Sequence, residues 1–153
     1  SELLYGVRGA VPEEEYLIPI GKADIKRPGK DATVITWGQG VPVALEAAEL
    51  ATHHNIDAEV IDLRTLRPLD DEAIIASIQK TNRCALIYHG WPYGGVGAEL
   101  IARIQELAFD HLDAPILREC YEDVPMPYAA NLEKHALVTT AEVIEAVKTV
   151  TYR

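Results

Sequence analysis

The residues best suited to chemistry lie in Tyr88-His89-Gly90-Trp91-Pro92-Tyr93-Gly94-Gly95-Val96-Gly97. They follow an apolar run, 84–88, of strand character and precede a helix-periodic segment, 98–109. In an open α/β sheet, the loop after a strand's carboxyl end is where ligands and partners meet the fold. His89 stands at that edge beside Trp91 and Tyr93. An imidazole there serves either as a general acid or base, or as a loop residue packed on aromatic rings. Gly94-Gly95-Val96-Gly97 opens the helix and can cradle a phosphate on bare backbone N–H groups. No Lys-Ser or Lys-Thr follows, which excludes a P-loop, and Glu99 in the first turn would repel an anion. A close approach of loop to sheet is the simpler reading.

A second glycine turn, Gly38-Gln39-Gly40, lies between a strand and a helix, and Asp62 ends the next strand. That order resembles a dinucleotide-binding turn with its ribose-binding acid. Val43 stands where the third glycine belongs, so a tight strand-to-helix turn is expected instead. Arg64 and Arg67 carry two guanidinium groups to the same edge. They bind an anion, or they pair with Asp62, Asp70 or Asp71 and hold the loop; pairing is the expectation. Asp123-Val124-Pro125-Met126-Pro127-Tyr128 is stiffened by its prolines, and a stiff aromatic loop loses little entropy when it docks. His53, His54, His111 and His135 lack metal-ligand spacing, and no serine or cysteine has a nucleophile's turn around it. The carboxyl-edge candidates are thus His89, Trp91, Arg67 and Tyr128, without a complete catalytic, cofactor or metal set.

To hold these loops at one edge, strands and helices must alternate. Strands are predicted over 33–37, 58–63, 84–88 and 115–119, with a weaker one over 23–26. Helices are predicted over 43–52, rich in alanine; over 72–80, capped through Leu69-Asp70-Asp71; over 98–109; and from the capping box Thr139-Thr140-Ala141-Glu142 to 150. The alternation implies a three-layer α/β fold, a mostly parallel five-stranded sheet with helices on both faces. Residues 1–20, with the acidic run Glu13-Glu14-Glu15 and Pro19 interrupting an apolar stretch, read as a lead-in from an upstream domain. Residues 21–153 form the domain, entered by an edge hairpin turning at Arg27-Pro28-Gly29-Lys30-Asp31.

The formal net charge of −10 repels phosphate backbones and argues against a nucleic-acid partner. It suits a basic protein surface. No stretch approaches the roughly 20 apolar residues of a membrane span. Two cysteines, Cys84 and Cys120, make no disulfide framework and fit a reducing compartment as inert, buried thiols. No signal or transit pattern opens the chain, and the absence of an initiator Met points to a fragment or processed product.

A run of segments, in order, then carries a resemblance: Ile18-Pro19-Ile20-Gly21-Lys22-Ala23, Glu46-Ala47-Ala48-Glu49, Glu59-Val60-Ile61-Asp62-Leu63-Arg64-Thr65-Leu66-Arg67-Pro68-Leu69-Asp70, Lys80-Thr81-Asn82-Arg83, Gly90-Trp91-Pro92, Gly95-Val96-Gly97-Ala98-Glu99, Leu112-Asp113-Ala114-Pro115 and Asp123-Val124-Pro125-Met126-Pro127-Tyr128-Ala129. The chain resembles the transketolase C-terminal-domain family, in the form found in β subunits of thiamine-diphosphate-dependent 2-oxo acid dehydrogenase E1 components. Gly90-Trp91-Pro92 and Val124-Pro125-Met126-Pro127-Tyr128 are most similar to the pyruvate branch; a branched-chain enzyme is the alternative, and a non-catalytic scaffold module the rival of another class. Tyr88-His89 departs from the Glu-Glu or Glu-Gly pair common in the family. The resemblance implies that thiamine diphosphate and magnesium are bound mainly outside this chain. It implies partnership with an E1 α subunit, a second β subunit, and the basic peripheral-subunit-binding domain of an E2 acyltransferase, with Asp113 at the docking position. It also implies a domain inactive alone; the two thiols and the lack of a transit pattern make a bacterial cytoplasm the expectation over a mitochondrial matrix.

Overall fold

A computed structural model describes residues 5–6 and 8–153; of the lead-in, residues 1–4 and 7 lie outside the described residues. Residues 8–20 are exposed and belong to no helix or strand. Five strands follow: β1 (Asp24–Arg27), β2 (Ala32–Thr36), β3 (Ala58–Asp62), β4 (Cys84–Ile87) and β5 (Leu117–Glu119). Five α-helices join them: α1 (Gly40–Ala51), α2 (Asp71–Thr81), α3 (Val96–Ala108), α4 (Ala130–Ala136) and α5 (Thr140–Thr151). The sheet order is β1-β3-β2-β4-β5. The β2–β3, β2–β4 and β4–β5 pairs are parallel, and β1 alone runs antiparallel, against β3.

Strand alternation builds two cores. Ala32 and Val34 of β2, Ala58 and Val60 of β3, and Ala85 and Ile87 of β4 face α1 and α5. Ile35, Ile61, Cys84 and Leu86 face the other way, toward Ile74 and Ile78 of α2 and Leu100 and Ile104 of α3. The helices supply matching stripes at three- and four-residue spacing. In α1 the stripe is Ala44, Ala47, Ala48 and Ala51, small enough to sit close to both the sheet and α5. In α5 it is Val143, Ala146, Val147 and Val150. The caps form as the sequence predicts. Asp70 accepts a hydrogen bond from the Ala73 N–H at 3.4 Å, and Thr139 and Glu142 form the reciprocal capping box of α5.

Two expectations are corrected. The turn at 27–31 closes no hairpin between β1 and β2, because β2 is paired on both sides, by β3 and β4. The chain instead steps over the amino end of β3. Lys30 and Asp31 N–H groups both donate to the Asp57 carbonyl at 2.9 Å. Gly29 lies so close that a Cβ there would come within 2.3 Å of the Ala58 carbonyl carbon. The loop beyond Tyr128 also contains a helix the periodicity did not show: α4 is seven residues long, has no side-chain cap, and buries only Ala136.

Among the described residues two carboxylates are buried, Asp70 at the start of α2 and Glu59 within the sheet. Glu59, on the inward face of β3, is 1% exposed. It accepts from the Ser77 hydroxyl at 2.5 Å and pairs with the Lys80 ammonium. Thr33 of β2 extends the network, 2.6 Å from the Ser77 hydroxyl and 2.7 Å from that of Thr81. Every polar atom so enclosed needs such a partner, and the network ties the central sheet to α2. Lys80→Met is expected to lower the unfolding free energy of the full-length protein by about 2 kcal/mol, since it strands the Glu59 carboxylate; the figure is set below that for a fully buried pair because the Lys80 side chain is half-exposed. Urea denaturation of both forms checks it, and equal stability would show the carboxylate to be satisfied without Lys80.

Candidate functional site

At the sheet's carboxyl end the strand order reverses. The chain leaves β2 for α1 on one face, and leaves the adjacent β4 for α3 on the other. The diverging exits open a crevice of about 280 Å³ lined by Trp37, Gly38, Gln39, His89 and Tyr121. Such a switch point is the usual ligand position in open α/β sheets. Gly38 takes a left-handed φ of 57°, and a Cβ at Gly40 would come 2.2 Å from the Thr36 hydroxyl oxygen. The two glycines thus make a tight turn, while Val43 packs against the core. The Asp62 carboxylate accepts from the Arg64 N–H at 3.0 Å, closing its own loop.

His89 Nδ1 lies 2.8 Å from Gln39 Oε1. An amide oxygen only accepts, so Nδ1 carries the proton. The ring tilts against Tyr121 with centroids 5.3 Å apart. Nε2 is enclosed and has no hydrogen-bond partner among the described residues. Burial lowers the His89 pKa from its ordinary 6.5, so the ring is held neutral.

Beneath the crevice, Tyr88 stacks on Trp37 at 5.2 Å with the planes 14° apart. Its ring fills the space under the first turn of α3, where a Cβ at Gly97 would come 2.3 Å from it. A Cβ at Gly95 would come 2.5 Å from the Trp91 carbonyl oxygen. The glycine run therefore serves the close approach of loop to sheet. The Tyr88 hydroxyl donates to that same carbonyl at 3.3 Å, and burial pushes the phenol up to about 12.

Further cross-links stitch the edge. Trp91 Nε1 donates to the Val124 carbonyl at 2.9 Å, and its ring meets Tyr121 edge-on at 6.4 Å. Tyr121 N–H donates to the Gly90 carbonyl at 3.0 Å, and Arg118 to that of Pro92 at 2.9 Å. Tyr128, at the far end of the segment between β5 and α4 that also carries Tyr121, is wholly exposed, and an apolar hollow of about 360 Å³ is lined by its neighbour Pro127 with Val124 and Leu132.

The arginine expectation is corrected. Arg64, at a left-handed φ of 56°, sends its guanidinium across to Asp24 of β1 at 2.6 Å. Asp70 and Asp71 are engaged elsewhere, by Lys22 at 3.5 Å and by Arg103. Arg67 is exposed, precedes a cis peptide bond to Pro68, and forms no ion pair among the described residues. Asp113 lies at the opposite, amino end of the sheet. Its carboxylate is 60% exposed and 3.7 Å from Arg83, beside a hollow of about 330 Å³ formed with Phe109, Leu112 and Pro115. The structure thus brings His89 and Trp91 together through Tyr121, leaves Arg67 on a separate loop and Tyr128 outside the crevice at the far end of the Tyr121 segment, and sets Asp113 apart. Trp37, Gln39 and Tyr121 were missed as site residues, because the strand order that joins them has no local signal.

The model of the transketolase C-terminal domain family matches residues 21–143. The chain belongs to that family. It is 49% identical to the pyruvate dehydrogenase E1 component subunit β of Rhizobium meliloti (strain 1021), over 100% of this chain and 34% of that protein. It is 48% identical to the mitochondrial counterpart of Dictyostelium discoideum, over 100% of this chain and 44% of that one. A solved split-gene transketolase, described as an inactive beta4 tetramer, superimposes with a TM-score of 0.77 at 27% identity, covering 96% of this chain and 46% of that one. The chain therefore spans between a third and a half of the length of these relatives.

As a transketolase C-terminal domain, the chain places no group of three or more His, Cys, Asp or Glu to hold a metal ion among its described residues. Cys84 is fully buried and its thiol is pushed up to about 12; burial raises Cys120 as well, so neither is an activated nucleophile. No helix of the described residues is long and apolar enough to cross a membrane.

His89 gives the domain a pH signature. Its folded pKa lies below the ordinary 6.5, so the unfolded chain binds the extra proton first. The His89 contribution is fully present above pH 6.5 and declines as pH falls below it. His89→Gln is expected to flatten the fall in melting temperature below that pH. Parallel thermal melts of the two full-length proteins check this, and identical slopes would assign the fall to other groups.

Proposed function

We propose that this chain is the assembly and docking domain of the β subunit of a pyruvate dehydrogenase E1 component. The observation that carries the reading is identity of 45–49% across essentially the whole chain to β subunits bearing that name. In this reading residues 1–20 lead in from a preceding domain and 21–153 form the C-terminal domain. The complete enzyme decarboxylates pyruvate oxidatively and passes the acetyl group to lipoyl-E2. Thiamine diphosphate, with magnesium, would supply the acyl-anion chemistry. The residues described here do not fit that cofactor: no metal-ligating cluster is assembled, and the glycine run at 94–97 is closed on the Tyr88 ring and the Trp91 carbonyl. The work assigned to this chain is therefore to pair with the E1 α subunit and a second β subunit. The stiff carboxyl-edge loops, with Trp91 half-exposed and Tyr128 fully so, suit such contacts.

The experiment combines the full-length subunit with its α partner, thiamine diphosphate and magnesium, and compares decarboxylation of pyruvate with that of branched-chain 2-oxo acids. Higher kcat/KM for pyruvate is expected. A preference for branched-chain acids would move the protein to the other branch, and no turnover with any would favour the scaffold reading.

Docking of the E2 peripheral-subunit-binding domain is assigned to the amino end, at Asp113. The exposed carboxylate beside the Phe109 hollow and the net charge of −10 both suit a basic module. Asp113→Asn is expected to weaken E2 binding by about 2- to 5-fold at low salt, and by less at high salt, as for a partly exposed ion pair. Titration calorimetry at two salt concentrations checks it; unchanged affinity would remove Asp113 from the contact.

A further inference from the structure

The lining of the switch-point crevice includes neither Trp91 nor Tyr128, the residues assigned above to subunit contacts, and its chemistry is specific. Three rings line it: Trp37, His89 and Tyr121. They are held in place from behind, Trp37 by the Tyr88 stack and His89 by its bond to Gln39. The bond polarises the Gln39 amide in one sense. Its Oε1 is engaged by the His89 N–H, so its NH₂ group is left as a donor with no protein acceptor among the described residues. The Tyr121 hydroxyl, likewise unpartnered among them, offers both donor and acceptor. Burial, and then the charge of Glu133, raise the phenol, while burial keeps the imidazole neutral. The crevice therefore has flat aromatic walls, a fixed amide donor, a hydroxyl, and no cationic side chain in its lining. The net charge of −10 further disfavours an anion. Its volume of about 280 Å³ suits a single small ring system.

We propose that this crevice binds a small, flat, neutral heteroaromatic carboxamide, its carbonyl accepting from the Gln39 amide NH₂, its own amide N–H donating to the Tyr121 hydroxyl, and its ring lying among Trp37, His89 and Tyr121. The site is independent of the E1 reading, because it uses only residues of this domain and needs no turnover.

Saturation-transfer NMR on the assembled full-length protein, with nicotinamide as the probe, tests it. Saturable binding with a Kd on the order of 1 mM is expected for a ligand of this size. Gln39→Glu keeps an oxygen for the His89 N–H but removes the NH₂ donor, and is expected to weaken nicotinamide at least about 10-fold. Tyr93→Ala, outside the crevice lining, is expected to leave binding unchanged. Nicotinate presents a charged carboxylate on the same ring and is expected to bind more weakly. Absence of saturable nicotinamide binding, equal or tighter binding of nicotinate, or indifference to Gln39→Glu would each overturn the proposal. The pyruvate assay reads a separate property, so either reading can fail alone.

Discussion

Everything in this domain follows from the two-sided burial of β2. All five of its residues are buried, and both of its edges are paired in parallel, to β3 and to β4. A strand with no free face or edge requires crossover connections, and those must lay helices on both sides of the sheet. The alanine stripe of α1 and the valines of α5 cover one side, and α2 and α3 cover the other. With no edge left on β2, the first strand is displaced to the outside of β3 and runs antiparallel there. The same constraint makes the exits of β2 and β4 diverge, which is why the crevice lies where it does.

A sheet sealed this way must pair most of the polar groups inside it; among the described residues Thr36 Oγ1, Arg83 Nε and His89 Nε2 are buried without a partner. The amino half does so through Glu59, Lys80, Ser77 and Thr33, a network that binds β2, β3 and α2 together. The carboxyl half is held by bonds between loops, with the Trp91 indole, the Tyr121 backbone N–H and the Arg118 guanidinium each donating to a carbonyl on a neighbouring segment. Loops held by such bonds present aromatic side chains at little entropic cost. Two rigid surfaces at opposite ends of one sheet, aromatic at the carboxyl end and acidic at Asp113, are what a connecting element in a larger assembly requires.

The Tyr88-His89 pair shows how two neighbouring rings serve opposite faces of the sheet. Tyr88 alternates toward α2 and α3, where its ring needs Gly97 above it and Trp37 beside it. His89 alternates toward the other face, where it needs Gln39 and Tyr121. Each ring has its own partners, and together they fix the floor and one wall of the crevice.

Much of this was legible in the residues. β-Branched apolar runs marked β2, β3 and β4; Asp70 and the Thr139-Glu142 box marked two helix starts; and Val43 ruled against a dinucleotide turn. All are local signals, set by side-chain periodicity and by hydrogen bonds within a few residues. α4 stayed hidden because seven uncapped residues with one buried side chain leave almost no periodic pattern. The arginine loop was misread because Arg64 finds its partner 40 positions away. The meeting of Trp37, Gln39, His89 and Tyr121 was likewise invisible, since it depends on β2 and β4 lying side by side although β3 and α2 separate them in the chain. The sequence by itself determined the elements, the layer architecture and the acidic character, because these follow from patterns along the chain. Only the tertiary structure decided the strand order, the pairing of β1 and the make-up of the crevice, because those depend on which strands satisfy one another's edges across long stretches of chain.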